Sequence, residues 1–197
     1  MLEINETYEV IIDDLSSKDY TIVDYLFSPI LLEGLLANIQ RKVENDALRR
    51  AGIGNRFNFQ KVDDIRTDEI QWLSDQTDDF NEKNYLFQVE EFYNYLNRTC
   101  FTGISQFECH YAHFEEGAFF KKHVDRFKND DSRKFSIITY LNKNWELSNG
   151  GQLRIYSKDT ADILPTFGKT VIFRSHILPH EVLPANQSRY SITGWLK

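Results

Sequence analysis

The chain has 197 residues, enough for one domain with a hydrophobic core and few for two. Its formal net charge of -7 argues against phosphate-driven binding of nucleic acid, which needs an excess of lysine and arginine. The N-terminal residues are acidic, no apolar run approaches a membrane span, and the two cysteines show no disulfide or metal-site pattern. We therefore expect a globular cytoplasmic protein that binds neither nucleic acid nor membrane.

The first half of the chain mixes strand and helix patterns. Residues 20–27 are typical of a strand, and Ser28 and Pro29 suit the N-cap and first position of a helix. We expect this helix to continue to about Arg50, because apolar residues recur at helical spacing at Leu31, Leu32, Leu35, Leu36, Ile39 and Val43.

A second helix is predicted from about Asn84 to Thr99. Its expected inward residues are Phe87, Phe92, Tyr93 and Leu96. Residues 52–80 combine polar loop with one short strand near residues 69–73. Because this segment is long for a passive connection, it is a candidate lid.

The second half is almost entirely β in pattern. Short apolar stretches separated by turn residues predict strands near 106–114, 118–124, 134–141, 151–157, 162–166, 169–174, 180–184 and 189–196. Eight short strands in under a hundred residues indicate a jelly-roll, also called a double-stranded β-helix. The predicted fold is mainly β with flanking helices: residues 105–197 form the jelly-roll core and residues 1–104 supply helical support and the lid, within one domain.

His123 and Asp125 form the most informative pair of polar residues. Residues i and i+2 at a strand end project to the same face, so an imidazole and a carboxylate can reach one metal. His180, which begins a later predicted strand, is the best candidate for a third ligand. Two histidines and one carboxylate on one face of Fe(II) leave three positions open for substrate and oxygen. A bare His-x-Asp is common by chance, however, and most such pairs are surface hydrogen bonders.

Arg189 strengthens the metal interpretation. It follows His180 by nine residues and begins the next predicted strand. An inward-facing arginine in an apolar barrel is costly unless it binds an anion, and a dicarboxylate would supply one. Taken alone, Arg189 would instead be interpreted as a surface charge at a strand edge.

Tyr111 and Tyr140 are further candidates on alternating strands. Each could place a phenol in the cavity to donate a hydrogen bond to a carboxylate, and by periodicity alone a core-filling role fits either residue equally well. We assign no functional role to His110, His113 or His176.

Five segments between Tyr111 and Trp195 resemble the prolyl-hydroxylase branch of the Fe(II)- and 2-oxoglutarate-dependent dioxygenases. They are HVD at 123–125, YLNKNW at 140–145, GGQLRIY at 150–156, PHEV at 179–182 and RYSITGW at 189–195. The chain departs from the family pattern after Tyr111, where Pro-Gly is common in the family, and at Thr67, where Gly is usual.

The resemblance implies a role for each candidate residue. Iron would be bound by His123, Asp125 and His180. Arg189 would bind the distal carboxylate of 2-oxoglutarate with help from Tyr140, and Tyr111 would lie near the cosubstrate. Leu153 and Trp195 would line the pocket.

The resemblance also implies the reaction and its partners. A prolyl residue in a protein or peptide would be hydroxylated with O2 and 2-oxoglutarate, giving succinate and CO2, with ascorbate as a candidate reductant. The alternatives are an oxygenase of the same fold acting on a small molecule or free amino acid, and a cupin-like metal protein without oxygenase activity. A nucleic-acid demethylase is disfavoured by the acidic charge. Either a monomer or a small homo-oligomer is compatible with the sequence.

Overall fold

The computed structural model describes residues 4–52, 64–125 and 132–197. Its helices are α1 (Ile4–Lys18), α2 (Pro29–Glu44) and α3 (Phe80–Cys100). Its strands are β1 (Tyr20–Asp24), β2 (Arg49–Arg50), β3 (Glu69–Trp72), β4 (Phe107–Phe114), β5 (Phe120–His123), β6 (Phe135–Tyr140), β7 (Leu153–Tyr156), β8 (Thr160–Ile163), β9 (Lys169–Arg174), β10 (His180–Val182) and β11 (Arg189–Leu196).

The strands form two antiparallel sheets. The major sheet has the order β1-β9-β6-β11-β4-β3-β2, and the minor sheet has the order β5-β10-β7-β8. In the second half, the chain passes back and forth between the sheets, as expected for a jelly-roll. The major sheet contains β4, β6, β9 and β11, and the minor sheet contains β5, β7, β8 and β10. All eight strands predicted in that half are present, so the predicted fold class is confirmed.

Two hydrophobic clusters lie on opposite faces of the major sheet. Helices α1, α2 and α3 pack on its outer face, where Tyr111 and Ile137 lie among helix residues such as Leu32. The inner face packs against the minor sheet, with Phe114 and Ile155 in this second cluster. Side chains alternate along each strand, and the parity of a residue therefore decides whether it faces the helices or the space between the sheets.

Local sequence signals set the helix ends. The Ser28 hydroxyl accepts a hydrogen bond from the Leu31 amide and Pro29 follows at the first helical position, as predicted. Asp79 caps α3 by accepting from the amides of Asn81 and Glu82.

The structure corrects several expectations in the first half. Helix α2 ends at Glu44 rather than near Arg50, which instead pairs in β2. Helix α1 was not predicted. Phe87 is 60% exposed rather than inward-facing, whereas Phe92 and Leu96 are buried as expected. Within the candidate lid, residues 53–63 lie outside the described residues. None of the helices in the described ranges is long and apolar enough to span a membrane.

Candidate active site

His123, Asp125 and His180 meet at one end of the minor sheet. His123 is the last residue of β5, and His180 is the first residue of the neighbouring antiparallel strand β10 and pairs directly with it. The two imidazole rings are therefore adjacent, with centroids 4.2 Å apart. Asp125 lies 3.4 Å from His123 (Oδ1 to Nε2) and 3.7 Å from His180 (Oδ2 to Nε2). One donor atom from each residue lies within 4.8 Å of the others.

Neighbouring groups orient all three donors. The Nδ1 of His123 lies 2.8 Å from the Lys121 carbonyl, and the Nδ1 of His180 lies 3.0 Å from the Leu178 carbonyl. A carbonyl can only accept, so each Nδ1 carries the proton and each Nε2 keeps its lone pair for the centre of the cluster. The Ser136 hydroxyl donates to Asp125 Oδ2 at 2.7 Å. Such outer contacts are what hold metal ligands in position.

The charge state of the cluster also suits a cation. Burial lowers the pKa of His180 to about 4, so this imidazole is neutral at physiological pH. Burial opposes ionisation of Asp125, but the two histidines and the Ser136 hydrogen bond outweigh it and hold the pKa of this carboxyl below its usual range. The cluster thus offers two imidazole nitrogens and one carboxylate, the donor set that suits Fe(II) with open coordination positions.

The cluster opens into a cavity of ≈ 220 Å³ between the sheets. This is far more than the ~10–15 Å³ that one water needs, so the cavity has the size of a ligand site. Leu153 and Trp195 both line the cavity, where they were expected. Its walls are otherwise largely apolar and include Phe114, Ile138 and Val182.

Arg189 lines the same cavity and is only 1% exposed. Its Nε donates to the Gly151 carbonyl at 2.9 Å, and no carboxylate of the described residues forms an ion pair with it. Gly151 permits this approach, since a Cβ there would lie 3.0 Å from Arg189 Cδ and its φ is +66°. Asp68 lines the same cavity and its charge acts on Arg189, but this carboxylate is already paired with Arg66. A buried guanidinium without an ion-pair partner of its own is costly, and an anionic ligand would remove that cost.

Tyr140 lies beside Arg189, with its ring centre 5.0 Å from the guanidinium carbon. Its buried hydroxyl has no hydrogen-bond partner among the described residues. Burial raises the pKa of Tyr140 to about 12, although the Arg189 charge opposes this shift, so the phenol remains a donor. The cation and this donor together fit the distal carboxylate of a dicarboxylic acid.

The structure does not bring Tyr111 to this cavity. Tyr111 lies on the outer face of the major sheet among the helices, with Lys42 Nζ 5.8 Å from its ring centre. On the same strand β4, His110, Ala112 and Phe114 face the cavity instead. The expectation that Tyr111 lies near the cosubstrate fails because it has the opposite parity along β4.

Several cavity residues were not predicted from the sequence, and His110 is one of them. His110 was expected to be structural, but it lines the cavity between the rings of Trp72 and Trp195, with centroid distances of 4.9 and 5.3 Å. Burial, with the charges of Arg66 and Arg133, lowers the pKa of His110 to about 3, so it is neutral. Trp72 and Phe114 also line the cavity and were not predicted. The alternation along β4 could have identified His110 and Phe114 once one inward residue was known.

Comparisons with known proteins agree with this geometry. Residues 109–197 match the sequence profile of the 2OG-Fe(II) oxygenase superfamily. A Pseudomonas putida prolyl-4-hydroxylase superposes with a TM-score of 0.88 at 33% identity, covering 97% of this chain and 98% of that one. A Trichoplax adhaerens prolyl hydroxylase, solved with a hypoxia-inducible-factor peptide, also gives 0.88, at 25% identity and coverage of 98% and 90%. Mouse prolyl hydroxylase EGLN3 is 27% identical over 95% of this chain and 82% of its own length.

A jelly-roll with this cluster and a matching profile defines a 2-oxoglutarate-dependent dioxygenase, which uses Fe(II) as cofactor and 2-oxoglutarate and O2 as cosubstrates. Within that superfamily, the chain belongs to the prolyl-hydroxylase branch.

Proposed function

We propose that this dioxygenase hydroxylates a prolyl residue of a protein or peptide with iron held by His123, Asp125 and His180. The observation that carries the proposal is one cavity containing this triad together with the buried, unpaired guanidinium of Arg189. When bound, Fe(II) with 2-oxoglutarate and O2 supplies the oxidising chemistry that converts a C–H bond to C–OH, with succinate and CO2 as coproducts.

The protein residues have separable tasks in this proposal. Arg189 and the Tyr140 hydroxyl bind the distal carboxylate of 2-oxoglutarate and so orient the cosubstrate towards the triad. Ser136 holds the Asp125 carboxylate in position. Leu153, which is fully buried, and Trp195 form apolar walls that keep water from the reacting groups.

The relatives support a prolyl target. The similar Trichoplax and Pseudomonas proteins are prolyl hydroxylases, and the Trichoplax structure includes a peptide. In this chain Trp72 is 42% exposed and lines the cavity together with Trp195, so indole surfaces are available to an entering side chain. Apolar indole faces suit the nonpolar ring of proline.

A comparison of substrates tests the target class. Iron-loaded protein should hydroxylate proline-containing peptides, adding one oxygen atom to the prolyl residue in fragment mass spectra, and should leave free proline unchanged. The matched control is the same peptide with alanine in place of proline, which should gain no oxygen. Oxidation of free amino acids in preference to every peptide of a proline-scanning library would instead support the small-molecule alternative.

The Tyr140→Phe variant should bind 2-oxoglutarate about 5- to 10-fold more weakly, because one hydrogen bond of about 1–1.5 kcal/mol is lost. Fe(II) affinity should not change, since Tyr140 is not part of the triad. Tyr111→Phe is the matched control and should leave cosubstrate affinity unaltered, as Tyr111 lies on the other face of the sheet. Anaerobic calorimetry of both variants measures the two affinities. Equal weakening in both would contradict the role given to Tyr140.

We also propose that the chain acts as one catalytic domain in the cytoplasm. The helices share a hydrophobic cluster with the major sheet, which supports a single domain. Cys100 and Cys109 are both free thiols, as is usual in a reducing compartment.

A further inference from the structure

A second group of possible metal ligands lies on the major sheet away from the cavity. Glu69 on β3 pairs directly with His113 on β4, and Glu115 follows His113 by two residues. One donor atom from each of these residues lies within 4.8 Å of the others. His113 has the parity of Tyr111, so this Glu69-His113-Glu115 cluster is on the opposite face of β4 from the cavity.

His113 is held in one orientation and has an unused nitrogen. The residue is 3% exposed, and its ring stacks on Tyr190 with centroids 5.0 Å apart and an interplanar angle of 12°. Its Nε2 lies 3.3 Å from the Ser188 hydroxyl, whereas its Nδ1 is buried and has no hydrogen-bond partner among the described residues. A buried nitrogen without a partner is destabilising, and a ligand bound at Nδ1 would remove that cost.

The hydrogen bonding of the cluster leaves its donor atoms available to a cation. When Nε2 of His113 donates to the Ser188 hydroxyl, the lone pair of the imidazole is on Nδ1, the nitrogen without a partner among the described residues. Glu69 has only a loose contact with Arg50, with Oε1 to Nε at 3.8 Å, and Glu115 forms no ion pair within the described part of the chain.

We propose that Glu69, His113 and Glu115 form a second divalent-metal site, separate from the catalytic triad, that binds Zn²⁺. One imidazole nitrogen and two carboxylates are donors that Zn²⁺ accepts, and water would complete four-coordination. Two carboxylates also neutralise the charge of the ion. Because β3 and the turn after β4 both supply ligands, the bound metal would connect β3 to the segment that leads into β5 and His123.

Counting bound Zn²⁺ tests this proposal independently of catalysis. Equilibrium dialysis followed by elemental analysis should find two Zn²⁺ per wild-type chain and one in Asp125→Ala. In the Asp125→Ala background, the exposed substitution Glu115→Gln should weaken the remaining site at least ~10-fold. The neighbouring exposed Glu116→Gln is the matched control and should leave the remaining affinity within about twofold.

A further variant separates a specific site from general zinc binding. His113→Gln in the same background should remove the remaining site, with circular dichroism confirming that the protein is folded, and if it does not fold the Glu115→Gln result decides. The proposal is overturned if Asp125→Ala binds no Zn²⁺, or if its bound Zn²⁺ is unaffected by Glu115→Gln.

Discussion

The Asp125→Ala variant is expected to bind Fe(II) at least ~100-fold more weakly than wild type and to produce no succinate above background. Loss of an outer contact to a metal ligand already costs 10- to ~100-fold in affinity, and removal of a ligand should cost more. Asp125 is also the only carboxylate in the triad, so its loss leaves two imidazoles and no anionic ligand for a divalent ion. Anaerobic Fe(II) titration and NMR detection of succinate measure the two effects.

The matched control for this variant is Asp159→Ala. Asp159 is an exposed aspartate outside the triad, and its replacement should leave both iron binding and succinate production unchanged. Circular dichroism should show that Asp125→Ala is folded, because the carboxylate contacts the triad and Ser136 rather than the hydrophobic core. Full succinate production by folded Asp125→Ala would mean that the ligand assignment is wrong.

The Arg189→Gln variant is expected to lose at least ~30-fold in affinity for 2-oxoglutarate while Fe(II) affinity is kept. Truncating one partner of a buried charge pair costs about 2–5 kcal/mol, and 2 kcal/mol corresponds to a factor of about 30. Glutamine can still donate one hydrogen bond but carries no charge. Calorimetric titration of 2-oxoglutarate into anaerobic iron-loaded protein measures the loss.

A second ligand separates a direct contact from a general disturbance of the site. Wild type should prefer 2-oxoglutarate over 2-oxobutanoate, which lacks the distal carboxylate, and Arg189→Gln should lose most of that preference. Arg154→Gln is the control, since Arg154 is a strand arginine already paired with Asp162 at 2.7 Å. An unchanged preference in Arg189→Gln would show that Arg189 does not contact this carboxylate.

The β-rich half of the fold could be predicted because its strands are short and separated by clear turn residues. Helix α1 was missed although Tyr8, Ile11 and Leu15 recur at helical spacing, since its remaining residues are mostly polar and acidic. Phe87 was assigned to the buried face of α3, but Tyr85, Val89 and Phe92 form that face. Hydrophobicity alone did not distinguish the exposed ring from the buried ones.

The candidate active site, like the fold, could be predicted only in part from the sequence. The spacing of His123 and Asp125 is local, so the strand pattern suffices to place both side chains together. The pairing of His180 with His123 depends on the register of two strands far apart in sequence, which the strand pattern does not give. His180 was chosen as third ligand because it begins a later predicted strand, and the family resemblance agreed with that choice. Tyr111 was misassigned because the parity of β4 relative to the cavity is set by the packing of Cys109 and Tyr111 against the helices. That packing is a tertiary contact that the strand pattern does not reveal.

The measurement that most directly tests the assigned site is anaerobic calorimetry of 2-oxoglutarate binding to protein loaded with Fe(II), because it requires no knowledge of the hydroxylated target. We predict that wild type binds one equivalent of Fe(II) and one of 2-oxoglutarate. Arg189→Gln should retain Fe(II) but bind 2-oxoglutarate more weakly, and Asp125→Ala should bind neither Fe(II) nor 2-oxoglutarate tightly. Binding of 2-oxoglutarate with equal affinity to wild type and both variants would contradict the assignment of this cavity as the active site.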